Sequence, residues 1–510
     1  MSVFRRNPRE AQLILLYACL KLAINLLANR HLGFHRDELL YIAYSKHPGW
    51  GYNEAPPFTG YIAWLSGHLF GDSLYAYRLF PAIFSALTTY FTGLLTIAFG
   101  GKRFAVSVAC LGAIFSPAFM GSQYLLQPVV FEQFFWIVIA YLLVKYVQTR
   151  HINYVYWFAL TFGFGLLTNY TIAVYAISLL IALLFSPQRK YILNKHVFIA
   201  LLLAFLIALP NLLWQYQHHF PAIAHFKHLY YSLAIYISTY DYLLEQVLIY
   251  ATGILIWLPG LVYLFVSRTR IKYTFVSVAF IIIQIILLLL HSKLRYSFGA
   301  YLPLFAAGGI AWQKLLMRLS ERTHYVLLTV CLVPALVFVP LAIPVLPLPA
   351  TLSLFDFTYH RLHIKFPLKW SDQEYHEINQ TYADMLGWDE IAQYTVTAWE
   401  HQGDEQDTTI ILADNYGLAG AIDHLGKSGN LPPVICTSSS YMLWAPEAIR
   451  PKHIIYAGNN EVWLSAFEKI LKVGEVSSPH ASEKGTPVYL LSNPVKDINA
   501  IYTQELKEHR

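Results

Sequence analysis

An adjacent pair of acids, Asp37 and Glu38, stands in a polar and aromatic segment that follows the first apolar stretch of the chain. The same segment contains a third acid, Glu54, close to Tyr52. A carboxylate in such a position can accept a proton from an incoming hydroxyl group, or can help to hold a cation against a phosphate. A solvated loop with surface acids is the plainer interpretation.

A further acid, Glu132, lies within an apolar stretch that is long enough to cross a membrane. An ionisable group at membrane depth is costly and is by default a functional hypothesis. Because its neighbours are apolar, we expect Glu132 to face the interior of a helix bundle. An ion pair with Lys or Arg of another helix is the structural alternative.

Two cations, Lys293 and Arg295, precede Tyr296 at the end of another apolar stretch. Cations at a membrane surface can bind a lipid phosphate, and Arg can do so with two parallel hydrogen bonds. Simple snorkelling to the interface is the alternative. The histidines of 214–245 and the four cysteines lack a clear metal-binding or disulfide spacing. No Gly-rich nucleotide loop appears, which argues against an ATP-driven pump.

The elements that position these residues follow from composition. Of 510 residues, 56% are apolar and only 13% are charged, whereas soluble domains carry about 25% charged residues. A membrane helix needs about 20 mainly apolar residues. We therefore predict about eleven spans, with an uncleaved first one: 11–29, 79–99, 104–121, 129–147, 154–168, 171–186, 196–213, 246–266, 273–291, 297–315 and 325–346.

Charge is divided unevenly along the chain. Residues 1–349 hold 24 Lys and Arg against 9 Asp and Glu, whereas residues 350–510 hold 12 against 21. The basic residues concentrate in alternate connections, which predicts a cytoplasmic N-terminus and an outer first loop, 30–78. Clustered in this way, the positive charge indicates membrane topology and not a nucleic-acid partner.

The composition changes after the prolines between 340 and 349, so we predict two domains, a membrane domain over 1–349 and a soluble domain over 350–510. A helical stretch near 371–401 is followed by strands at 408–413, 433–436, 453–457 and 487–491 and by helices at 416–427 and 461–472. Alternating strands and helices indicate a small α/β domain, outside the membrane if eleven spans precede it. The run 57–70 has apolar residues at helical spacing and suits a helix in the interface plane.

Several motifs follow one another on this topology: Arg36-Asp37-Glu38-Leu39, Gly51 to Pro57, Arg78-Leu79-Phe80-Pro81, Gly100 to Ala105, Gln127 to Trp136, Pro210 to Trp214, Gly387-Trp388 and Asn415 to Ala421. In this order they resemble the bacterial glycosyltransferase family 39 group. Its members are polyprenyl-phosphate-sugar-dependent enzymes related to protein O-mannosyltransferases and to the aminoarabinose lipid A transferase.

The resemblance implies an α-helical multi-pass membrane protein with the C-type glycosyltransferase fold and a C-terminal extracytoplasmic α/β domain. It implies a location in the bacterial inner membrane and an active site on its periplasmic face. The donor would be a polyprenyl-phosphate sugar, and the acceptor a lipid, a glycan or a protein.

The resemblance also assigns roles to residues. Asp37 maps to the catalytic carboxylate, with Glu38 as its helper and Glu132 as a third catalytic acid. Apart from the resemblance, we predict that Lys293, Arg295 and Arg78 bind the donor phosphate. The substrate loop would include Arg36, Tyr52 and Glu54, together with Tyr296.

Two departures from the family's pattern stand out. The family's usual Asp in the fourth span is Glu132 here, and the usual Lys of an LxxKY segment is Asn169. If that Lys binds the donor phosphate in the family, Lys293 or Arg295 must take a larger part in binding the phosphate here.

The predicted reaction is inverting sugar transfer with Asp37 as general base, with or without a divalent cation. A leaving phosphate that is already anionic needs a cation more than an acid. A transporter or flippase is the alternative, although no internal repeat appears and the acids cluster on the predicted outer side. A ligase joining lipid-linked glycans is a third interpretation, which would not need the Arg36–Glu38 loop.

Overall fold

The computed structural model describes residues 8–192, 194–232, 239–267, 272–292 and 294–509 of the chain. Most of them are helical. The α-helices, numbered in chain order, are α1 (Pro8–Leu27), α2 (Arg36–Lys46), α3 (Phe58–Phe70), α4 (Leu74–Ala98), α5 (Arg103–Ile114), α6 (Pro117–Ser122), α7 (Pro128–Thr149), α8 (Asn153–Leu166), α9 (Thr171–Leu184), α10 (Lys195–Gln217), α11 (Pro221–Ser232), α12 (Thr239–Leu248), α13 (Ile254–Val266), α14 (Thr274–Leu289), α15 (Phe298–Leu315), α16 (Glu321–Val337), α17 (Val339–Ala342), α18 (Leu348–His360), α19 (Gln380–Ala383), α20 (Trp388–Glu400), α21 (Tyr416–Leu425), α22 (Glu461–Leu464) and α23 (Ile498–His509).

The strands are β1 (Thr409–Ala413), β2 (Val434–Ile435), β3 (His453–Ala457), β4 (Phe467–Glu475) and β5 (Pro487–Pro494). Short 3₁₀ turns connect several elements, at Arg189–Tyr191, Ala251–Gly253, Leu294–Ser297, Phe366–Leu368, Gly403–Thr408, Gly426–Gly429 and Ser439–Leu443.

The chain forms two compact units. The first, here called the membrane unit, consists of Met1–Arg30, Ala55–Thr59 and Tyr75–Val345. The second, here called the loop–tail unit, combines His31–Glu54 and Gly60–Leu74 with Leu346–Arg510. Most of the first loop therefore belongs to the same compact unit as the acidic tail, although residues 75–345 separate them in sequence.

Each of the eleven stretches predicted as spans contains an α-helix, but 104–121 is interrupted at residues 115–116 and 246–266 is broken at residues 249–250. Among the described residues, five helices are long and apolar enough to cross a membrane, or six if a pair bent by 97° around residue 250 counts as one span. Their outer surfaces carry exposed apolar side chains, for example Phe198, Leu202 and Phe205 of α10. Such faces are suited to lipid and not to water.

Small residues allow close helix packing within the membrane unit. A Cβ atom added to Gly308 of α15 would overlap the carbonyl oxygen of Ile256, close to the start of α13. A Cβ atom at Gly260 of α13 would overlap the carbonyl oxygen of Leu304 in the same way. Glycine at both positions therefore lets the two backbones approach directly, as is common between membrane helices.

The loop–tail unit contains a five-stranded sheet in the order β2-β1-β3-β5-β4. Strands β1, β2 and β3 are parallel, with Thr409 opposite His453, whereas β5 runs antiparallel to both β3 and β4. The predicted α/β character and the predicted strands at 408–413, 433–436, 453–457 and 487–491 are confirmed. The helices predicted within 371–401 and at 416–427 are also present.

The helix predicted at 461–472 is wrong for most of its length. The helix α22 ends at Leu464, and residues from Phe467 onward form the edge strand β4. Pairing with β5 in a long antiparallel ladder provides backbone hydrogen bonds that outweigh local helix propensity here. Exposed lysines along this strand, Lys469 and Lys472, are typical of a protected sheet edge.

A buried histidine makes the stability of the loop–tail unit depend on pH. His424 of α21 packs edge-on against Phe34, and burial, assisted by Lys427, lowers the pKa of His424 to about 4. The unfolded chain binds a proton near pH 6.5, so stability is complete above that pH and decreases as the pH falls toward 4. At pH 5 the loss is about 2 kcal/mol relative to pH 7.5.

We therefore expect the thermal unfolding temperature of the full chain in detergent to fall between pH 7.5 and pH 5, and His424→Gln to reduce that fall. Differential scanning fluorimetry at both pH values measures the difference. A control, His453→Gln, removes a histidine from the same unit. Equal pH dependence of the wild type and His424→Gln would contradict the assignment.

Candidate functional site

Asp37 lies in the first turn of α2, in the loop–tail unit. A capping box begins this helix: the imidazole Nδ1 of His35 accepts a hydrogen bond from the Asp37 backbone N–H (3.1 Å), and Glu38 Oε2 accepts one from the His35 backbone N–H (2.9 Å). The free N–H groups and the dipole at a helix N-terminus stabilise a negative charge. The structure thus places Asp37 in the first turn of a helix, and gives the fully buried Glu38 a helix-capping contact.

The carboxylate of Asp37 is fixed by a tyrosine from the tail. Tyr416, the first residue of α21, donates its hydroxyl hydrogen to Asp37 Oδ1 at 3.0 Å. Burial raises the pKa of Tyr416 well above its ordinary value, and the charge of Asp37 adds to that shift, so the hydroxyl keeps its proton. The Asp37 side chain is 30% exposed. It is therefore both oriented and accessible, as a general base must be.

A guanidinium lies beside this pair. The Arg36 side chain stacks over the ring of Tyr416, with 4.6 Å between the guanidinium carbon and the ring centre. Burial opposes its charge, but Tyr416, Glu483, Asp384 and Asp37 together raise the pKa of Arg36. Arg36 thus stays a cation and anchors the first turn of α2.

Asp384 completes the polar cluster behind α2. Its backbone carbonyl accepts the Arg36 N–H at 2.9 Å, and its carboxylate Oδ2 lies 3.7 Å from His35 Nε2. Because Nδ1 of His35 is an acceptor here, a neutral ring carries its hydrogen on Nε2, facing Asp384. Burial raises the pKa of Asp384, while His35 opposes the shift. His35 and Asp384 therefore fix the N-terminal end of α2.

Two glycines explain how α21 reaches α2. A Cβ atom added to Gly417 would lie 2.8 Å from Arg36 Cγ, and one added to Gly420 would lie 2.8 Å from Leu39 Cβ. These distances are too short for any side chain without a shift of the helix. The glycines of the motif Asn415 to Ala421 thus permit the close approach that places Tyr416 on Asp37.

The remaining predicted loop residues support the loop itself. Tyr52 is buried, and its hydroxyl donates to the carbonyls of Tyr44 (3.1 Å) and His47 (3.0 Å). Glu54 accepts hydrogen bonds from Tyr44 (2.6 Å) and from Ser440 of the tail. The predicted assignment of Tyr52 and Glu54 to substrate stays a prediction, because the contacts described here are with protein groups.

Glu132 is held in the membrane unit, in the second turn of α7. Only 3% of it is exposed. Its carboxylate accepts hydrogen bonds from the Asn169 amide (Nδ2 to Oε2, 3.1 Å) and from the Thr171 hydroxyl at the start of α9. The positive charge of Arg295 also acts on this carboxylate. The expected position inside the bundle is thus found, with hydrogen-bonding partners on α9 and the segment before it.

The two departures from the family's pattern, Glu132 and Asn169, are therefore in direct contact. Glu132 is one methylene longer than the family's Asp, and the Asn169 side chain that it contacts is shorter than the family's Lys. The pair keeps its contact across the helix interface while the local positive charge of the family's Lys is absent. The sequence shows each change separately, and the fold shows that the two residues are in contact.

The predicted phosphate ligands occupy different places. Arg295 is exposed and its guanidinium carbon lies 5.4 Å from the ring centre of Tyr296. Arg78 is fully buried; it donates to Asn29 Oδ1 (3.4 Å) and lies over the ring of Tyr124. Lys293 lies outside the described residues. The charge of Arg295 thus acts on Glu132, whereas Arg78 is held by other partners.

One group in the described part of the chain has the spacing of metal ligands, Asp372, Glu374 and His376. It lies away from the predicted catalytic acids in sequence, and its two acids are exposed. The predicted catalytic acids are not part of such a group among the residues that the structure describes.

Part of the chain is similar to a known protein family. Residues 54–214 match the family described as dolichyl-phosphate-mannose-protein mannosyltransferase. The match spans Glu132 and Asn169 but begins after Asp37. No curated protein matches the chain.

Solved structures match over most of the chain. ArnT from Cupriavidus metallidurans bound to undecaprenyl phosphate has a TM-score of 0.63 at 13% identity, over 94% of this chain and 98% of that chain. The apo state of the same protein has a TM-score of 0.62 at 13% identity, over 94% of this chain and 97% of that chain. A third structure is the oligosaccharyltransferase AglB from Archaeoglobus fulgidus in complex with an inhibitory peptide and a dolichol-phosphate. Its TM-score is 0.47 at 13% identity, over 97% of this chain and 75% of that chain.

The predicted family resemblance is confirmed. The C-type glycosyltransferase fold is confirmed as well, because the chain follows ArnT from one end nearly to the other. A location in a membrane agrees with both the family and the apolar helices.

Sequence reasoning missed several residues of the site. Tyr416 stands in a motif that carried the resemblance, yet its type and position alone give no hint that it contacts Asp37. The contacts of Thr171 with Glu132 and of Asp384 with Arg36 were also missed. The pair of glycines after Tyr416 is the sequence feature that could have indicated the contact between α21 and α2, since small residues one turn apart are typical of a close helix crossing.

The contact between Glu132 and Asn169 can be tested by replacing each residue with the one that the family usually has. Glu132→Asp should break the hydrogen bonds to Asn169 and Thr171 and lower the thermal stability, since a buried polar group left without its partner costs about 1–3 kcal/mol. Adding Asn169→Lys should restore much of the loss, because a lysine reaches the shorter carboxylate. Thermal unfolding of the four proteins in detergent gives the coupling energy, expected to exceed about 1 kcal/mol.

Glu10→Asp combined with Asn169→Lys is the matched control, since Glu10 pairs with Arg103 instead. Additive effects of Glu132→Asp and Asn169→Lys would refute the compensation.

Proposed function

We propose that the chain is an integral-membrane glycosyltransferase that moves a sugar from a polyprenyl-phosphate donor to a hydroxyl acceptor. The family match and the likeness in fold to ArnT support this class of reaction. The observation that carries the proposal is Asp37, an accessible carboxylate at a helix N-terminus whose orientation is fixed by Tyr416.

Asp37 is assigned as the general base. The acceptor oxygen forms a bond to the anomeric carbon, its proton passes to the Asp37 carboxylate, and the bond from the anomeric carbon to the phosphate oxygen breaks. A single displacement of this kind inverts the anomeric configuration. The Tyr416 hydrogen bond keeps one carboxylate oxygen occupied and so sets the direction in which the other points.

The leaving polyprenyl phosphate carries negative charge, so it needs a cation more than an acid. Arg295 is assigned to this task because it is exposed, stacks near Tyr296 and acts on the buried Glu132. Glu132, fixed by Asn169 and Thr171, is assigned to position Arg295. The phosphate contacts of Lys293 and Arg78 stay predictions.

The remaining assignments are part of the same proposal. The membrane domain lies within 1–349 and the soluble domain is 350–510, and most of the first loop belongs to the same compact unit as the tail. The N-terminus is cytoplasmic, and the first loop and the tail lie outside. The membrane is the bacterial inner membrane, the sugar is a hexose or pentose, and the acceptor is a lipid, a glycan or a protein. The alternating basic connections support the orientation, and the motif order supports the class of donor.

Sugar transfer tests the proposal directly. Purified full-length protein in lipid nanodiscs is given a panel of radiolabelled polyprenyl-phosphate sugars together with a membrane extract as acceptor. We expect one donor to be consumed, and Asp37→Asn to lower turnover by about 10²–10⁴-fold, the usual contribution of general-base catalysis. Product analysis measures transfer.

Asp72→Asn is the matched control. It makes the same chemical change in the same unit, at an exposed carboxylate that pairs with Lys427, and should leave turnover within about twofold, as expected for an exposed ion pair. Near-normal turnover of a well-folded Asp37→Asn protein would refute the assignment of Asp37. Solute uptake into vesicles without sugar transfer would support the transporter alternative instead.

A further inference from the structure

An apolar cavity of about 230 Å³ lies within the membrane unit, between helices α7, α8, α9 and α10. Its wall is formed by aliphatic and aromatic side chains, among them Leu143, Phe162, Ala176 and Val197. Apolar cavities stay dry, because water would lack hydrogen-bonding partners there. Its natural occupant is therefore an apolar group.

The cavity opens sideways toward the surroundings of the helices. Ile177, Leu180 and Leu201 belong to its wall and are also 51%, 40% and 50% exposed. Neighbouring apolar side chains on the same helix surfaces, such as Phe198 and Leu202, are exposed as well. An apolar chain from the lipid phase can thus enter from the side.

One end of the cavity carries positive charge. Tyr191 forms part of the wall, the Arg150 guanidinium stacks over its ring, and the Lys190 ammonium lies 5.4 Å from the ring centre. Hydrogen bonds fix this end: Tyr146 donates to the Tyr191 carbonyl (2.9 Å), and Asn194 donates to the same carbonyl (2.7 Å). Both cations are exposed.

Acids are absent from the whole stretch of sequence that builds this region. Between residues 133 and 240 the chain contains no Asp or Glu, whereas Lys145, Arg150, Arg189, Lys190 and Lys195 all fall within it. Such a rim attracts anions, and Arg and Lys are the usual ligands of lipid phosphate at a membrane surface.

The cavity is remote from the proposed donor site. Arg150 and Glu132 are separated along α7 and its C-terminal cap by 18 residues, which corresponds to about 27 Å at the rise of an α-helix. That distance is close to the thickness of the hydrocarbon core, about 30 Å. The positive rim therefore meets the lipid leaflet opposite to the one at Glu132.

We propose that this cavity takes one acyl chain of an anionic phospholipid, whose phosphate is bound by Arg150 and Lys190. The apolar wall selects a hydrocarbon chain, the lateral opening admits it from the bilayer, and the charged rim selects the headgroup. The site is independent of sugar transfer and would hold α7 to α10 together from the opposite leaflet.

Native mass spectrometry of the delipidated full-length protein tests the headgroup. Phosphatidylglycerol and phosphatidylcholine with identical acyl chains are titrated in parallel. We expect phosphatidylglycerol to bind at least fivefold more tightly, and the double variant Arg150→Gln, Lys190→Gln to lose this preference. Lys102→Gln with Arg318→Gln removes the same charge from other predicted cytoplasmic connections and should keep it. Equal binding of the two lipids, or equal loss in both double variants, overturns the proposal.

A photoactivatable acyl chain tests the cavity in the unmodified protein. Phosphatidylglycerol carrying a diazirine in its acyl chain should label peptides from 143–162 and 176–204, and Ala176→Phe, which fills the cavity, should reduce that labelling at least fivefold. Ala173→Phe, on the same helix but outside the wall, is the control. Labelling spread evenly over all apolar helices, or its displacement by polyprenyl phosphate, contradicts an acyl-chain site.

Discussion

The close crossing of α2 and α21 is the constraint on which the proposed catalytic site depends. Gly417 and Gly420 leave no room for a side chain against Arg36 and Leu39, and this contact brings Tyr416 onto Asp37. Residues almost 400 positions apart in sequence thereby form one polar cluster. The acidic tail is thus more than an appended domain, because it supplies the group that orients the carboxylate of the first loop.

A shortage of charge organises the rest of the molecule. With 13% charged residues in the chain, each buried ionisable group needs an explicit partner. Glu132 receives hydrogen bonds from Asn169 and Thr171, and Arg78 is held by Asn29 and Tyr124. The positive rim around Tyr191 lies in a stretch of sequence that contains no Asp or Glu, and an anion from the membrane is proposed to bind there. The same physical rule therefore accounts for the proposed donor site and the proposed lipid site.

The sequence predicts the architecture well because long apolar runs and short alternating strands leave few alternatives. Each of the eleven apolar stretches contains an α-helix, and four strands fall where expected. The edge strand at Phe467–Glu475 was mistaken for a helix, since its stability comes from pairing with β5 and not from local preference. Asp37, Glu132 and Arg295 could be singled out by their charge. Tyr416, Asp384 and Thr171 could not, because contacts between distant segments leave no mark on one sequence.

A double-mutant cycle between Asp37 and Tyr416 tests the central claim, that a tail tyrosine orients the catalytic carboxylate of the first loop. Sugar transfer is measured for the wild type, Tyr416→Phe, Asp37→Asn and the combined variant, with thermal unfolding as the control for folding. The account predicts that Tyr416→Phe lowers turnover about tenfold in the wild type, equivalent to one hydrogen bond to a charged group, and has no further effect on Asp37→Asn. The same tenfold loss in both backgrounds would contradict it.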